Sequence, residues 1–165
     1  MTLRVGDVFT VPLDEQRHGF GQVVATYKKH GHYFAIFDKA YTTSWEPVPG
    51  DIAVDRIALL ALSFDAKIHV GDWKIVGNAP VVDNLPLPAY KVAIGTPDEV
   101  YVEDYSGQRQ RRATRSEVDL LPYRTFVAPV RLENAFRALH GLAAWVAAFD
   151  GLVPNELTTT KRLFV

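Results

Sequence analysis

Short runs of apolar residues separated by turn residues dominate the first forty positions. Residues 7–13, 20–28 and 32–38 are rich in Val, Ile, Phe and Tyr, a composition typical of β-strands. Lys29-His30-Gly31, between the second and third runs, indicates a tight hairpin. The pattern predicts a β-meander over about residues 4–38. Polar residues are sparse on both faces of its first strand.

The centre of the chain, about residues 52–114, predicts further strands. Residues 52–69 form an apolar stretch that fits either a buried strand or a short helix, and we favour a strand. Residues 73–76 and 90–94 also have strand composition. The proline-rich connector 85–88 separates these two runs.

Residues 99–114 contain the clearest hairpin signal. Ser106-Gly107 suits a two-residue primed turn, which places Asp104 opposite Arg109 and Tyr101 opposite Arg112. An acidic strand would then lie beside a basic one. Cross-strand pairing explains these charges more economically than acid–base catalysis or nucleic-acid binding.

Residues 129–149 carry apolar side chains at helical spacing and predict one long helix. Pro129 suits its first turn, and Asp150-Gly151 suits its end. A helix with so wide an apolar stripe needs a surface to cover, and the sheet supplies one. We therefore predict a mainly β, α+β fold: a curled antiparallel sheet or partly open barrel with a long C-terminal helix packed on it. The prediction is one domain over residues 1–165, with a short tail from residue 152.

Composition narrows the class of protein. The 165 residues are 48% apolar and 12% aromatic, with a net charge of −1 and no cysteine. This composition is typical of a globular domain, and it excludes disulfides, zinc–cysteine sites and thiol catalysis. The near-zero net charge gives no overall attraction to nucleic acid or to an anionic membrane. Without a signal-peptide pattern or an apolar run of transmembrane length, we expect a cytoplasmic location.

The Gly19-Phe20-Gly21 sequence raises the question of a ligand-binding loop. Dinucleotide and phosphate loops require a helix after the glycines, but Gln22-Val23-Val24 has strand composition. The glycines are therefore interpreted as bend and packing positions within a hairpin. The sequence contains no Gly-x-Ser-x-Gly motif for a serine nucleophile.

Histidines offer the remaining catalytic possibility. His30 and His32 form a His-x-His pair that could hold a metal if His69 or Asp38 completed the ligand set. The pair spans a predicted turn, where the two side chains need not point the same way. Solvated turn histidines are the favoured interpretation, and we expect no cofactor.

Aromatic and acidic residues near predicted loops are candidates for binding a partner. Trp45 lies in a loop with acidic residues close by, a combination suited to a basic partner. Core packing explains the aromatic residues equally well. The candidate binding residues are Trp45, Glu46, Asp51, Asp55, Glu99, Glu103, Asp104 and Tyr105.

Several short motifs occur in a fixed order along the chain. The set begins with Gly6-Asp7-Val8-Phe9, Pro12-Leu13 and Gly19-Phe20-Gly21-Gln22-Val23, and it continues with Trp73-Lys74-Ile75-Val76-Gly77, Leu85-Pro86 and the final helix with Trp145 and Phe149-Asp150. This ordered set resembles the immunity protein 26 family of bacterial polymorphic toxin systems. The resemblance extends over about residues 3–152. It implies a small, mostly β, cytoplasmic protein that binds and neutralises the toxin encoded beside it.

Two functions follow from different classes. The first is a non-catalytic immunity protein that blocks a toxin's active site or locks its conformation; a basic nuclease would suit the slight acidic excess. The second is a small metal-dependent phosphotriester hydrolase using His30, His32 and His69, since the family is similar to a protein described as a phosphotriesterase. This chain is too short for the barrel of the well-known metal phosphotriesterases. A nucleic-acid-binding module is the weakest alternative, and no oligomeric state is predicted.

Overall fold

The computed structural model describes residues 2–96 and 98–165, and in these residues the chain is an α+β protein with two antiparallel sheets. The strands are β1 (Asp7–Pro12), β2 (Arg17–Tyr27), β3 (Gly31–Phe37), β4 (Tyr41–Thr42), β5 (Ile57–Ser63), β6 (Ile75–Asn78), β7 (Tyr90–Ala93), β8 (Val100–Glu103) and β9 (Gln110–Arg112). The α-helices are α1 (Pro49–Ile52), α2 (Ala66–His69), α3 (Arg115–Leu120), α4 (Pro129–Leu139) and α5 (Thr160–Leu163). Two 3₁₀ helices span Ala147–Leu152 and Glu156–Thr158.

The chain divides into two compact units. Unit 1 contains the residues up to Asp83 together with Phe126–Val153, and unit 2 contains Asn84–Thr125 and Pro154–Val165. Each unit holds one of the two sheets. Within the described residues, no helix is both long enough and apolar enough to cross a membrane.

The sheet of unit 1 has the strand order β5-β3-β2-β1-β6, and β4 adds to β2. The predicted N-terminal meander is confirmed, since β1, β2 and β3 pair in sequence with Phe9 opposite Gly21 and Gly21 opposite Ile36. The apolar stretch of residues 52–69 contains a strand, β5, but a short helix precedes it and another follows it.

Both faces of this sheet are buried. On one face, Phe9 and Phe34 pack with Trp73 and with Phe136 of α4. On the other face, Phe20 packs with residues of the 37–53 region. A strand buried on both sides has no need for polar residues on either one, which explains why they are sparse along β1.

Gly19 and Gly21 are packing positions, as the sequence indicated. A Cβ atom on Gly19 would lie 2.2 Å from the ring of Phe136, and one on Gly21 would lie 2.6 Å from the ring of Phe9. Only glycine allows the two aromatic rings to approach the backbone of β2 so closely.

The sheet of unit 2 consists of β7, β8 and β9, and its hairpin has the predicted register, but the predicted primed turn at Ser106-Gly107 is wrong. Of these two residues only Gly107 has a positive φ, +78°, and its N–H donates to the Asp104 carbonyl at 3.1 Å, so Tyr105 and Ser106 are the central residues of the turn. Tyr101 is opposite Arg112 and Val102 is opposite Arg111. Asp104 follows β8 and caps the turn: its carboxylate accepts hydrogen bonds from the Gln108 and Arg109 backbone N–H groups, at 2.9 and 3.0 Å.

The prediction of a long C-terminal helix is wrong. The helix α4 ends at Leu139, and Gly141 adopts a left-handed conformation with φ of +75°. The Gly141 N–H donates to the Ala138 carbonyl at 3.1 Å, and the Leu142 N–H donates to the Arg137 carbonyl at 3.0 Å. These two bonds form a Schellman motif, which satisfies the last carbonyls of the helix and turns the chain away.

The prediction of a curled sheet or partly open barrel is also wrong. In the described residues, the first sheet ends at β5 and β6, and the later strands form a second sheet instead of extending the first. The physical reason lies in residues 80–88, where Pro80, Pro86 and Pro88 lack the N–H groups that a continuing strand would need.

Candidate functional site

An aromatic cluster in unit 1 positions Trp45. The short strand β4 pairs Tyr41 with His18 of β2 and so holds Tyr41 against the sheet. The Tyr41 and Trp45 rings stack with their centroids 4.3 Å apart, and Phe20 meets Trp45 edge-on at 6.0 Å. Trp45 is half-buried, so one side of its ring packs on the core while the rest reaches solvent.

Asp55 fixes this cluster rather than facing a partner. Its carboxylate accepts a hydrogen bond from the Tyr41 hydroxyl at 2.7 Å and pairs with Lys39 at 3.0 Å. Its side chain is only 7% exposed. Burial, followed by the bond to Asp55, raises the pKa of Tyr41 to about 12, so the phenol keeps its proton.

The loop that follows Trp45 presents the acidic side chains that remain free. We call residues 43–54 the acidic loop; its charged side chains are the exposed Glu46 and Asp51. Among the hydrogen bonds and ion pairs of the described residues, neither carboxylate has a partner. The loop also exposes Val48 and Val54. It therefore combines an aromatic ring, two aliphatic side chains and two negative charges.

The acidic candidates of unit 2 are mostly structural. Glu103 is buried, where it accepts hydrogen bonds from Arg124 and from the Gln110 side chain. Asp104 is buried beneath the hairpin turn, and although burial opposes ionisation, the Arg109 N–H and the Ser106 hydroxyl hold the pKa of Asp104 below its usual value. Both carboxylates are unavailable to a partner.

Two further candidates in unit 2 lie at its surface. Glu99 is exposed just before β8, and Tyr105 is half-buried beside the hairpin turn. The backbone N–H of Tyr105 donates to the Thr160 hydroxyl at 3.0 Å. Of the eight predicted binding residues, Trp45, Glu46 and Asp51 are thus the ones that share one accessible loop.

The histidines of the alternative metal site do not lie together as a set of metal ligands. His30 is exposed in the β2–β3 turn, His32 stacks parallel to Phe34 at 6.1 Å, and His69 is exposed at the end of α2. Over residues 2–96 and 98–165, no group of three or more His, Cys, Asp or Glu side chains could hold a metal ion. No observation favours the hydrolase alternative.

His18 and His32 lead instead to a prediction about pH. Burial lowers the pKa of each imidazole below the usual 6.5. Below about pH 6.5 the unfolded chain therefore binds more protons than the folded one, so stability is full at neutral pH and declines on acidification. We expect a lower urea midpoint at pH 5.5 than at pH 7.5. The same measurement on a His18→Phe/His32→Phe variant should show a smaller decline.

Phenylalanine is a suitable replacement at both positions. His18 Nε2 and His32 Nδ1 are buried and, as far as the described chain shows, have no hydrogen-bond partner. Replacing the two histidines by phenylalanine therefore breaks no hydrogen bond at His18 Nε2 or His32 Nδ1. His69→Gln, at the exposed end of α2, serves as the control. An equal loss of stability in all three proteins would contradict the assignment.

Sequence reasoning missed two structural features. One is the segment Gly141–Ala148, in which every residue is exposed and which the predicted helix would have buried in part. The signal for it was Gly141 itself, a typical residue after a helix end. The other is Arg124, which organises unit 2 but lies in no recognisable sequence pattern.

The fold defines an α+β protein whose accessible loop carries an aromatic ring and two negative charges. Comparison with family models is more specific: the immunity protein 26 model matches residues 4–98, and the chain belongs to this family. The resemblance seen in the sequence is confirmed over these residues. No curated protein and no solved structure matches the chain.

Proposed function

We propose that this protein binds a cognate bacterial toxin and neutralises it without catalysis, by covering its active site or locking its conformation. Membership of the immunity protein 26 family is the observation that carries the proposal. We further propose that it acts in the cytoplasm of the producing cell.

The charge of the acidic loop supports the proposal that the partner is a basic toxin, such as a nuclease effector domain. Glu46 and Asp51 are exposed in the same loop as Trp45, so this loop combines negative charge with an aromatic side chain that could anchor a partner. Charges at an interface rim speed association and select the partner, while a buried aromatic centre supplies most of the affinity.

The direct test mixes the purified protein with the product of the adjacent toxin gene. We expect a complex on gel filtration and survival of toxin-expressing cells that co-express this protein. Absence of both results would refute the proposed function.

Reversing the two loop charges should weaken toxin binding. For Glu46→Lys/Asp51→Lys we expect roughly a tenfold slower association at low salt, with a smaller difference at high salt because exposed charges are screened. The matched control is Glu15→Lys/Glu156→Lys, which changes two exposed acids elsewhere. Stopped-flow association at two salt concentrations measures both variants. Equal slowing by both would assign the effect to net charge and not to the acidic loop.

A further inference from the structure

Trp45 differs from the other two tryptophans in the state of its indole N–H group. The N–H groups of Trp73 and Trp145 each donate to a carboxylate, at 3.0 and 2.7 Å. Within the described residues the Trp45 N–H has no hydrogen-bond partner, and its nitrogen is accessible to solvent. One face of this indole is covered by the Tyr41 ring, so the side chain is held in place while its polar edge stays free.

The acidic loop that carries Trp45 is fixed to unit 1. The Trp45 backbone N–H donates to the Thr42 carbonyl at 3.0 Å, and Ile52 of α1 is buried in the apolar cluster against which Trp45 packs. Pro49, the first residue of α1, packs on the backbone of β6, because a Cβ atom on Gly77 would lie 2.6 Å from the Pro49 Cγ atom. A surface that is ordered before binding loses little conformational entropy on association.

The cations of this region do not cancel the charge of the acidic loop. Lys39 Nζ lies 3.0 Å from the Asp55 carboxylate, and a guanidinium nitrogen of Arg56 lies 4.0 Å from the Asp38 carboxylate. The charges of these four side chains sum to zero. The acidic loop contains two acids and no basic residue, so a charge of −2 remains there.

Both acids of the loop lie near the aromatic cluster. Glu46 follows Trp45 directly, with the two Cα atoms about 3.8 Å apart. Burial, the hydrogen bond to Asp55 and, more weakly, the charge of Asp51 raise the pKa of Tyr41 to about 12, so Asp51 acts on the ring that stacks on Trp45. An accessible indole with carboxylates nearby suits a cationic side chain, because the ring attracts a cation and the carboxylates pair with it.

We propose that the acidic loop binds an arginine side chain of the cognate toxin, whose guanidinium group lies on the exposed part of the Trp45 indole and pairs with the carboxylates of Glu46 and Asp51. Arginine fits better than lysine, because its planar group stacks on an aromatic ring and offers several N–H donors to carboxylates. A second copy of this chain is a poorer partner, since two-fold pairing through the loop would bring two acidic loops together. The inference rests on the proposed function and names the chemical group that the loop recognises.

Matched substitutions of Trp45 test the contact. Trp45→Leu keeps an apolar side chain but removes the aromatic ring, and we expect the dissociation constant for the adjacent gene's toxin to rise about tenfold by calorimetry. Trp45→Tyr retains an aromatic face and should bind within about threefold of the unaltered protein. The control is Trp145→Leu, the same change at a tryptophan of unit 1 that is 39% exposed, and it should not weaken binding. A urea transition for each variant shows that it is folded.

A charge variant tests the same contact without altering the core. Glu46 and Asp51 are exposed, so Glu46→Gln/Asp51→Asn should fold normally, and we expect it to bind the toxin roughly fivefold more weakly.

Chemical protection identifies the arginine itself. Free and bound toxin are treated with an arginine-selective dicarbonyl reagent, and the modified residues are located by mass spectrometry. At concentrations where both complexes are fully formed, a toxin arginine should be protected by the unaltered protein and should react when the Trp45→Leu variant is bound.

The outcomes separate this inference from the proposed function. If the unaltered protein does not bind the toxin, the proposed function fails and the inference fails with it. If it binds and the Trp45→Leu variant binds equally well, the proposed function stands and the inference is overturned. The inference is also overturned if Trp45→Tyr weakens binding as much as Trp45→Leu does, or if no toxin arginine depends on Trp45 for its protection.

Two further results are decisive. If the Trp45→Leu variant shows no urea transition, the charge variant decides, and its binding as tightly as the unaltered protein overturns the inference. If light scattering shows a dimer that the charge variant dissociates, the occupant of the loop is a second copy and the inference is overturned.

Discussion

Replacing Arg124 by methionine is expected to destabilise unit 2 by about 3–5 kcal/mol, the usual result of removing one partner from a buried ion pair. The Arg124 guanidinium donates to the Glu103 carboxylate and to the Asp104 carbonyl, the latter at 2.8 Å. It also lies 4.5 Å from the centre of the Tyr90 ring. Methionine fills a similar volume but cannot pair with the buried Glu103 carboxylate. Of the described side-chain hydrogen bonds to that carboxylate, only the one from Gln110 then remains.

The measurement for this variant is urea unfolding followed by far-ultraviolet circular dichroism and by hydrogen exchange of β8. Arg124→Met/Glu103→Met is the informative companion. Since it removes both charges together, it should be much less destabilised than the single variant. A single variant within about 1 kcal/mol of the unaltered protein would show that the ion pair is not the main support of unit 2.

Replacing Gly19 by alanine is expected to destabilise unit 1 by about 1–3 kcal/mol, the typical cost of overpacking a filled core. The new methyl group would lie 2.2 and 2.5 Å from two atoms of the Phe136 ring. Phe136 is fully buried and its ring also meets His140 edge-on at 4.7 Å, so it has little room to move. All three tryptophans of the chain lie in unit 1, so tryptophan fluorescence during urea unfolding reports on this unit.

Gly151→Ala is the matched control for this substitution. Apart from Gly151 and its chain neighbours, no described atom lies within 4 Å of the position that its Cβ would occupy, so we expect a change within about 0.5 kcal/mol. A Gly19→Ala/Phe136→Leu variant completes a double-mutant cycle, and the two changes should be less than additive because the smaller side chain makes room for the methyl group. Equal stabilities for Gly19→Ala and Gly151→Ala would refute the packing explanation.

Local signals predicted the strands and hairpins well. The strands β8 and β9 are neighbours in sequence, so the short connection between them was enough to predict the register that pairs Tyr101 with Arg112. The type of turn was predicted wrongly, because Tyr105 and Ser106, not Ser106 and Gly107, are its central residues. The role of Gly19 and Gly21 also followed from a local observation, namely that a strand and not a helix comes after them.

The C-terminal region could not be predicted in the same way, because hydrophobic periodicity records residue type and not burial. Leu142 and Val146 continue the stripe of α4, yet both are exposed beyond the helix end at Gly141. The stripe predicts one long helix, but the left-handed Gly141 and the two backbone hydrogen bonds of the Schellman motif end the helix before it.

The candidate site was only partly predictable for a related reason. Trp45, Glu46 and Asp51 are close in sequence, so their common loop could be anticipated. The burial of Glu103 depends on Arg124, which is 21 residues away and joined to it by tertiary contact alone. No spacing rule connects such a pair, and so an acid that looks available in sequence proves to be structural.

The interleaving of the two units has a consequence for synthesis on the ribosome. Unit 1 needs Phe136 and Leu152 to close a core whose first residues come from β1, and unit 2 likewise needs Thr159 and Thr160 against the Pro88 region. Domains tend to fold as units while the chain emerges. Each sheet therefore keeps part of its apolar surface uncovered during synthesis until the later segment that completes its unit has emerged, residues 126–153 for unit 1 and 154–165 for unit 2.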